Sequence, residues 1–242
     1  MLSSPSHIAI EVRRLERPVR FEWDSATPSL ASSEMDRGEW DRIVLANPRV
    51  YDGPMIFVSR LDDDGTLHCR AGSYREFVIA QSVGRAVEAL GVSGLVRYKT
   101  PEGRFLTLIG RRGNQTRIYG GAWETAPRGT LSPPPLGVQV TLRTLESQLQ
   151  QEFAEEVGAE IATAAMTPFA LVRDPNAKSL DVLFVLSVDR AAYDHIENAI
   201  RKGGNWEYSQ LRWVDLEKDA ELLLQDFSPP TAALVHAMQT WS

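Results

Sequence analysis

The chain has 242 residues and a formal net charge of −6, with 43% apolar and 24% charged residues. This composition excludes collagen-like, low-complexity and largely disordered classes, and the length suffices for one large domain or two modest ones. The acidic balance argues against a general binder of nucleic acid or anionic membrane, and the single cysteine, Cys69, rules out an internal disulfide and any cysteine-cluster metal site. The longest charge-free runs, residues 130–142 and 161–172, are too short and too broken by proline to span a bilayer. Residues 1–5 lack the basic and apolar blocks of a signal peptide, so a cytoplasmic location is expected.

Residues 1–36 mix Pro, Ser and Thr with short apolar stretches, which predicts one strand near 7–10 and an irregular connection at 25–33. Residues 39–46 read as a short helix that Asn47-Pro48 stops. Residues 55–61 and 67–71 flank Asp62-Asp63-Asp64-Gly65 as a hairpin. The triple aspartate lacks the alternating ligands and distal Glu of a calcium loop, so it reads as a solvated turn. Residues 74–90 are predicted as a helix closed by Gly91, and a fresh strand pattern starts at Val92. Two units are therefore expected, 1–91 and 92–242.

In the second unit, strands at 95–99 and 104–110 are joined by Pro101-Glu102-Gly103, and 117–123 is a further strand candidate. Residues 129–140 form a loop around Pro133-Pro134-Pro135. Leu142, Leu145, Leu149 and Phe153 recur at helical spacing, which predicts a helix over 141–157 ended by Gly158. A strand at 180–188, a helix at 191–201, a strand at 210–214 and helices at 217–224 and 230–241 complete the chain. The interleaving predicts an α/β or α+β fold.

The stretch Gln151-Glu152-Phe153-Ala154-Glu155-Glu156-Val157-Gly158-Ala159 carries the chemistry. On a helix, Glu155 and Glu156 lie three and four residues beyond Glu152, so all three carboxylates share one face. Like charges at that spacing repel unless a cation compensates them, and clustered carboxylates suit a hard divalent ion such as magnesium. An acidic, solvated helix face is the alternative.

These residues resemble the Nudix box, GX5EX7REUXEEXGU with U apolar: Glu152, Phe153, Glu155, Glu156 and Gly158 match REUXEEXG. At average composition such a match arises by chance in roughly a few chains per thousand of this length. Residues 123–129 resemble the strand and loop that enter the box, with Gly129 as its first glycine. Gln151 stands where the family has arginine, and the segment from Gly129 to Glu152 is longer than the family pattern. The box's first glutamate has no secure counterpart, Glu146 being the nearest acid.

A second resemblance joins Asn47-Pro48-Arg49-Val50-Tyr51-Asp52-Gly53 and Tyr74-Arg75-Glu76-Phe77 to the leader region of the Nudix branch that cleaves UDP-glucose and UDP-galactose. Together these imply an α/β/α Nudix sandwich preceded by a smaller N-terminal α+β domain. They also imply magnesium, or manganese in its place, held by Glu152, Glu155 and Glu156, and a small nucleotide conjugate as substrate, without nucleic acid or membrane partners.

Glu207 resembles the late acidic residue that some Nudix enzymes use near the metal; a surface loop glutamate is the alternative. Among Arg111, Arg112, Arg117 and Arg128, the choice for phosphate contact is Arg128, beside the box glycine, with Arg117 second. Trp123 and Tyr119 are candidates to stack on a base or sugar, core packing being the alternative. The implied reaction is hydrolysis of UDP-glucose or UDP-galactose to UMP and a sugar 1-phosphate. ADP-ribose-type conjugates are the alternative substrates, and a nucleotide-sugar sensor or assembly module without turnover is the alternative function.

Overall fold

A computed structural model describes residues 9–24, 34–46, 50–116, 118–135, 138–162, 166–203 and 207–241. The expected strand near residue 7, the Asn47-Pro48-Arg49 segment and Arg117 lie wholly or partly outside them. The fold is mixed α/β, built on an 11-stranded sheet. The first part contributes β1 (Glu11–Arg14), β2 (Arg20–Trp23), α1 (Glu34–Ala46), β3 (Pro54–Leu61), β4 (Thr66–Ser73) and α2 (Tyr74–Ser82). Next come β5 (Ala89–Lys99), β6 (Phe105–Arg112), β7 (Trp123–Thr125), β8 (Arg128–Thr130) and α3 (Leu142–Glu152), which runs into a π-helical turn at Phe153–Val157. The remainder is β9 (Met166–Asp174), β10 (Ser179–Val188), α4 (Arg190–Arg201), β11 (Tyr208–Val214), α5 (Leu216–Leu223) and α6 (Pro229–Thr240).

The main sheet runs β1-β9-β10-β5-β3-β4-β2, with β6 joining β11 and β7 to β5, and β8 also on β5. The central pair, β5 and β10, is parallel over Ser179–Val188, and its apolar residues alternate between two buried faces. Leu90, Val92, Val182 and Phe184 meet Leu145, Leu149 and Phe153 of the α3 segment and Ile196 of α4. Leu95 and Leu183 point the other way and meet Leu234 of α6. Helices thus cover both faces, and the strands read as nearly continuous apolar runs for that reason. No helix among the described residues is long and apolar enough to cross a membrane.

The boundary expected at residue 91 falls inside β5. Strands from both sides of it share the sheet: β1 pairs with β9, and Phe57 of β3 pairs with Ala89 of β5. Gly91 is no helix stop. A Cβ there would overlap Oδ1 of Asp181, so the glycine lets that carboxylate lean across the strand. Helix α2 ends at Ser82 instead, well before residue 90. Residues from α1, α2 and β3 still form a small layer of their own, where Trp40 and Ile43 pack on Met55, Phe57 and Phe77. Residues 118–122, expected in a strand, form turns leading into β7.

Candidate metal centre

The acidic helix begins with a capped start, where the Thr141 N–H donates to Oγ1 of Thr144 at 3.1 Å. Leu145, Leu149 and Phe153 are fully buried and fix its apolar stripe on the sheet. From Phe153 to Val157 the helix widens into a π turn, and Gly158 closes it at a φ of 73°. This wider turn breaks the spacing that placed Glu155 beside Glu152 and Glu156. Glu155 is exposed and accepts a hydrogen bond from Gln151 at 2.8 Å, whereas Glu156 is 5% exposed.

Glu152 and Glu156 converge with Glu207, which lies just before β11. One carboxylate oxygen from each falls within 4.8 Å of the others. Among the described residues this is the one group of three or more His, Cys, Asp or Glu side chains so arranged. Glu207 is carried there by the antiparallel pairing of β11 with β6 and by its carbonyl, which accepts the Gly113 N–H at 2.7 Å. Among the described residues the third acid grouped with Glu152 and Glu156 is Glu207, and Glu155, expected there, stands apart from that group.

The electrostatics are those of crowded carboxylates. Burial, reinforced by Glu207 and Glu155 and opposed by the Gln148 hydrogen bond, raises the Glu152 carboxyl to about 7. Gln148 Nε2 donates to Glu152 Oε1 at 2.7 Å from one turn earlier. Burial and a hydrogen bond shared with Glu207 push Glu156 well above the usual carboxylate range, against the Arg128 N–H, which lowers it. The Arg128 N–H donates to Glu156 Oε2 at 2.9 Å.

Arg128 does not present a free cation to a phosphate. Its Nε donates to Asp181 Oδ2 at 2.7 Å, and its Nη1 lies 3.6 Å from Glu124 Oε2. Burial opposes its charge, but Asp181 and Glu124 outweigh that and hold the proton on. Its contribution to the cluster comes from its main chain. Trp123, a stacking candidate, is a core residue: it is 6% exposed, with the Arg212 guanidinium 4.1 Å from its ring centre. The Tyr119 hydroxyl donates to Asp174. Arg112 pairs with Glu124, and Arg111 Nε donates to the Gly121 carbonyl at 3.1 Å. Sequence reasoning missed Gln148, Asp181 and Glu124. The spacing of Gln148 to Glu152 was a readable signal, as was an acid inside the apolar run Leu180-Asp181-Val182.

No protein-family model matches the chain, and no curated protein sequence matches it. Among solved structures, it is similar to a MutT protein from Methanosarcina mazei Go1, with 19% identity over 62% of this chain and 92% of that one, at a TM-score of 0.42. A mutT/nudix family protein from Listeria innocua is 12% identical over 62% of this chain and 91% of its own, at a TM-score of 0.45. A Nudix hydrolase from M. Smegmatis, RenU, is 19% identical over 65% and 89%, at 0.42. Identities and TM-scores this low assign neither family nor activity to this chain.

Proposed function

We propose that the protein is a divalent-metal-dependent hydrolase of the Nudix type, cleaving the pyrophosphate of a nucleoside diphosphate linked to another moiety. The observation that carries this reading is the convergence of Glu152, Glu156 and Glu207. Their chemistry fits a hard divalent ion: the donors are all carboxylate oxygens, and burial and mutual crowding raise the Glu152 and Glu156 carboxyls, a cost that a bound cation would relieve. Such an ion, magnesium or manganese, would neutralise charge on the pyrophosphate and make water a better nucleophile at neutral pH.

The chain's own residues supply position and proton transfer. Gln148 orients Glu152, and the Arg128 N–H orients Glu156. Glu207 comes from outside the helix and is the residue we assign to accept the proton of the attacking water. Glu155 has no ligand role in this reading and stays at the solvent side with Gln151. Water adds to one phosphorus as the bridging P–O bond breaks, which yields a nucleoside monophosphate and a phosphorylated fragment.

The finer assignment is UDP-glucose or UDP-galactose, cleaved to UMP and a sugar 1-phosphate. It is supported by the resemblance of residues 47–53 and 74–77, and by the described parts of these segments meeting in space. The Tyr74 N–H donates to the Gly53 carbonyl, and the Arg75 N–H donates to Asp52 Oδ1, both at 2.8 Å.

The test is a hydrolysis screen over nucleotide conjugates in millimolar magnesium, with products identified by mass. Monophosphate release by the wild type, reduced at least 100-fold in Glu156→Gln with the fold retained, is the expected result. Metal binding without turnover of any conjugate would overturn the hydrolase assignment in favour of a binding module.

A further inference from the structure

Glu124 is 1% exposed on the short strand β7, and it reaches the acidic cluster by two separate routes. Its Oε1 accepts the Tyr208 hydroxyl at 3.0 Å and Arg112 Nη1 at 2.5 Å. Tyr208 is fully buried and directly follows Glu207 in the chain. Arg112 ends β6, opposite Tyr208, and the next residue, Gly113, holds the Glu207 carbonyl. On the other side, Oε2 of Glu124 faces Arg128 Nη1 at 3.6 Å, and the Arg128 main chain holds Glu156. One carboxylate therefore braces the supports of two of the three clustered acids, and these two come from different elements.

A buried charge is costly, and an apolar residue of similar volume would often serve stability as well. Glu124 also leaves Oε2 without a hydrogen bond among the described residues, so its environment is not arranged for full satisfaction of the group. What it does provide is a rigid relation between β6, β8 and β11, the three strands on which Glu207 and the partner of Glu156 depend.

We propose that Glu124 is a positioning residue that holds Glu207 and Glu156 in register for a shared divalent cation. This rests on the metal-site reading above. Outer groups that orient ligands change metal affinity by about 10- to 100-fold when removed. Glu124→Gln keeps the shape and loses the charge that ties Arg112 and Arg128. Tyr208→Phe removes only the hydroxyl arm.

The experiment is a manganese titration of the full chain at one pH, read by the electron paramagnetic resonance signal of free Mn²⁺, with thermal midpoints recorded alongside. Glu124→Gln should weaken binding by about 10-fold or more. Tyr208→Phe should weaken it by less, and the double variant should be no weaker than Glu124→Gln alone, because both act through one support. Unchanged manganese affinity in a destabilised Glu124→Gln protein would overturn the proposal, leaving Glu124 a purely structural residue. If Glu124→Gln fails to fold, wild-type affinity in Tyr208→Phe overturns it equally. A wild type that binds no manganese would overturn the metal-site reading itself, a result distinct from either of these.

Discussion

Gly129 lies directly against the carboxylate of Glu152: a Cβ on residue 129 would overlap Oε1, Cδ and Cγ of that side chain. Strand β8 passes the helix so closely that only a residue without a side chain leaves the acid its place. Gly129→Ala must therefore displace either the strand from Gly91, with which Thr130 pairs, or Glu152 from the cluster. Overpacking of this kind costs about 1–3 kcal/mol. The expected outcome is a lowered thermal midpoint together with weakened manganese binding. Loss of stability with metal affinity unchanged would show that Glu152 has room to move without leaving the site.

The raised carboxyl of Glu152 gives metal-free stability a definite pH dependence. In the unfolded chain a glutamate titrates near about 4.3, whereas burial raises this one to about 7 in the folded protein. Between these values the folded state binds more protons than the unfolded state, so stability falls as pH rises. The contribution is fully present below about 4.3 and is lost as pH climbs through about 7. Metal-free protein should therefore melt lower at about pH 8 than at about pH 5. Glu152→Gln should make that decline shallower, because the amide never ionises. Manganese should raise the midpoint most at the alkaline end, where it does not compete with protons. A decline of identical slope in wild type and variant would place its origin elsewhere.

Part of this site is legible in the sequence because it is local. Glu152, Glu156 and Gly158 sit within one turn and a half, and their spacing alone groups them. The same periodicity groups Glu155 with them because it assumes an α-helix, whereas the chain adopts a π turn there and Glu155 stands outside the cluster. Glu207 is 51 residues beyond Glu156, and only the pairing of β11 with β6 brings it in. Gly91 is misread for a similar reason. A glycine after an amphipathic run reads as a helix end, but its use here is to let Asp181 of β10 reach Arg128 Nε and the Ser93 hydroxyl, at 2.7 and 2.6 Å. The central strand β10 is legible because it is apolar throughout, β5 is read as strand only over 95–99, and β2, β8 and β9 are short or carry polar residues and pass below that signal.

The substrate assignment is tested on the intact protein. Deleting residues 1–91 would remove β1, β2, β3, β4 and the start of β5 from a shared sheet, so loss of activity would report unfolding. The N-terminal segment touches the loop that leads into the acidic helix: the Ile56 N–H donates to the Leu131 carbonyl at 3.0 Å, and the Ser132 hydroxyl to the Pro54 carbonyl at 3.4 Å. Pro54 and Ile56 thus border the stretch just after Gly129. A hexose is small and polar, and it is told from competitors by buried hydrogen-bond partners that are costly to leave unpaired. If this border supplies them, UDP-glucose or UDP-galactose should show a kcat/KM at least about 10-fold above that of ADP-ribose at the same magnesium concentration. Asp52→Ala, which frees the Arg75 N–H at the start of α2, should lower kcat/KM for the hexose conjugate and leave the manganese midpoint unchanged. Faster cleavage of ADP-ribose than of either UDP-hexose would overturn the hexose assignment and leave the metal-dependent hydrolase standing.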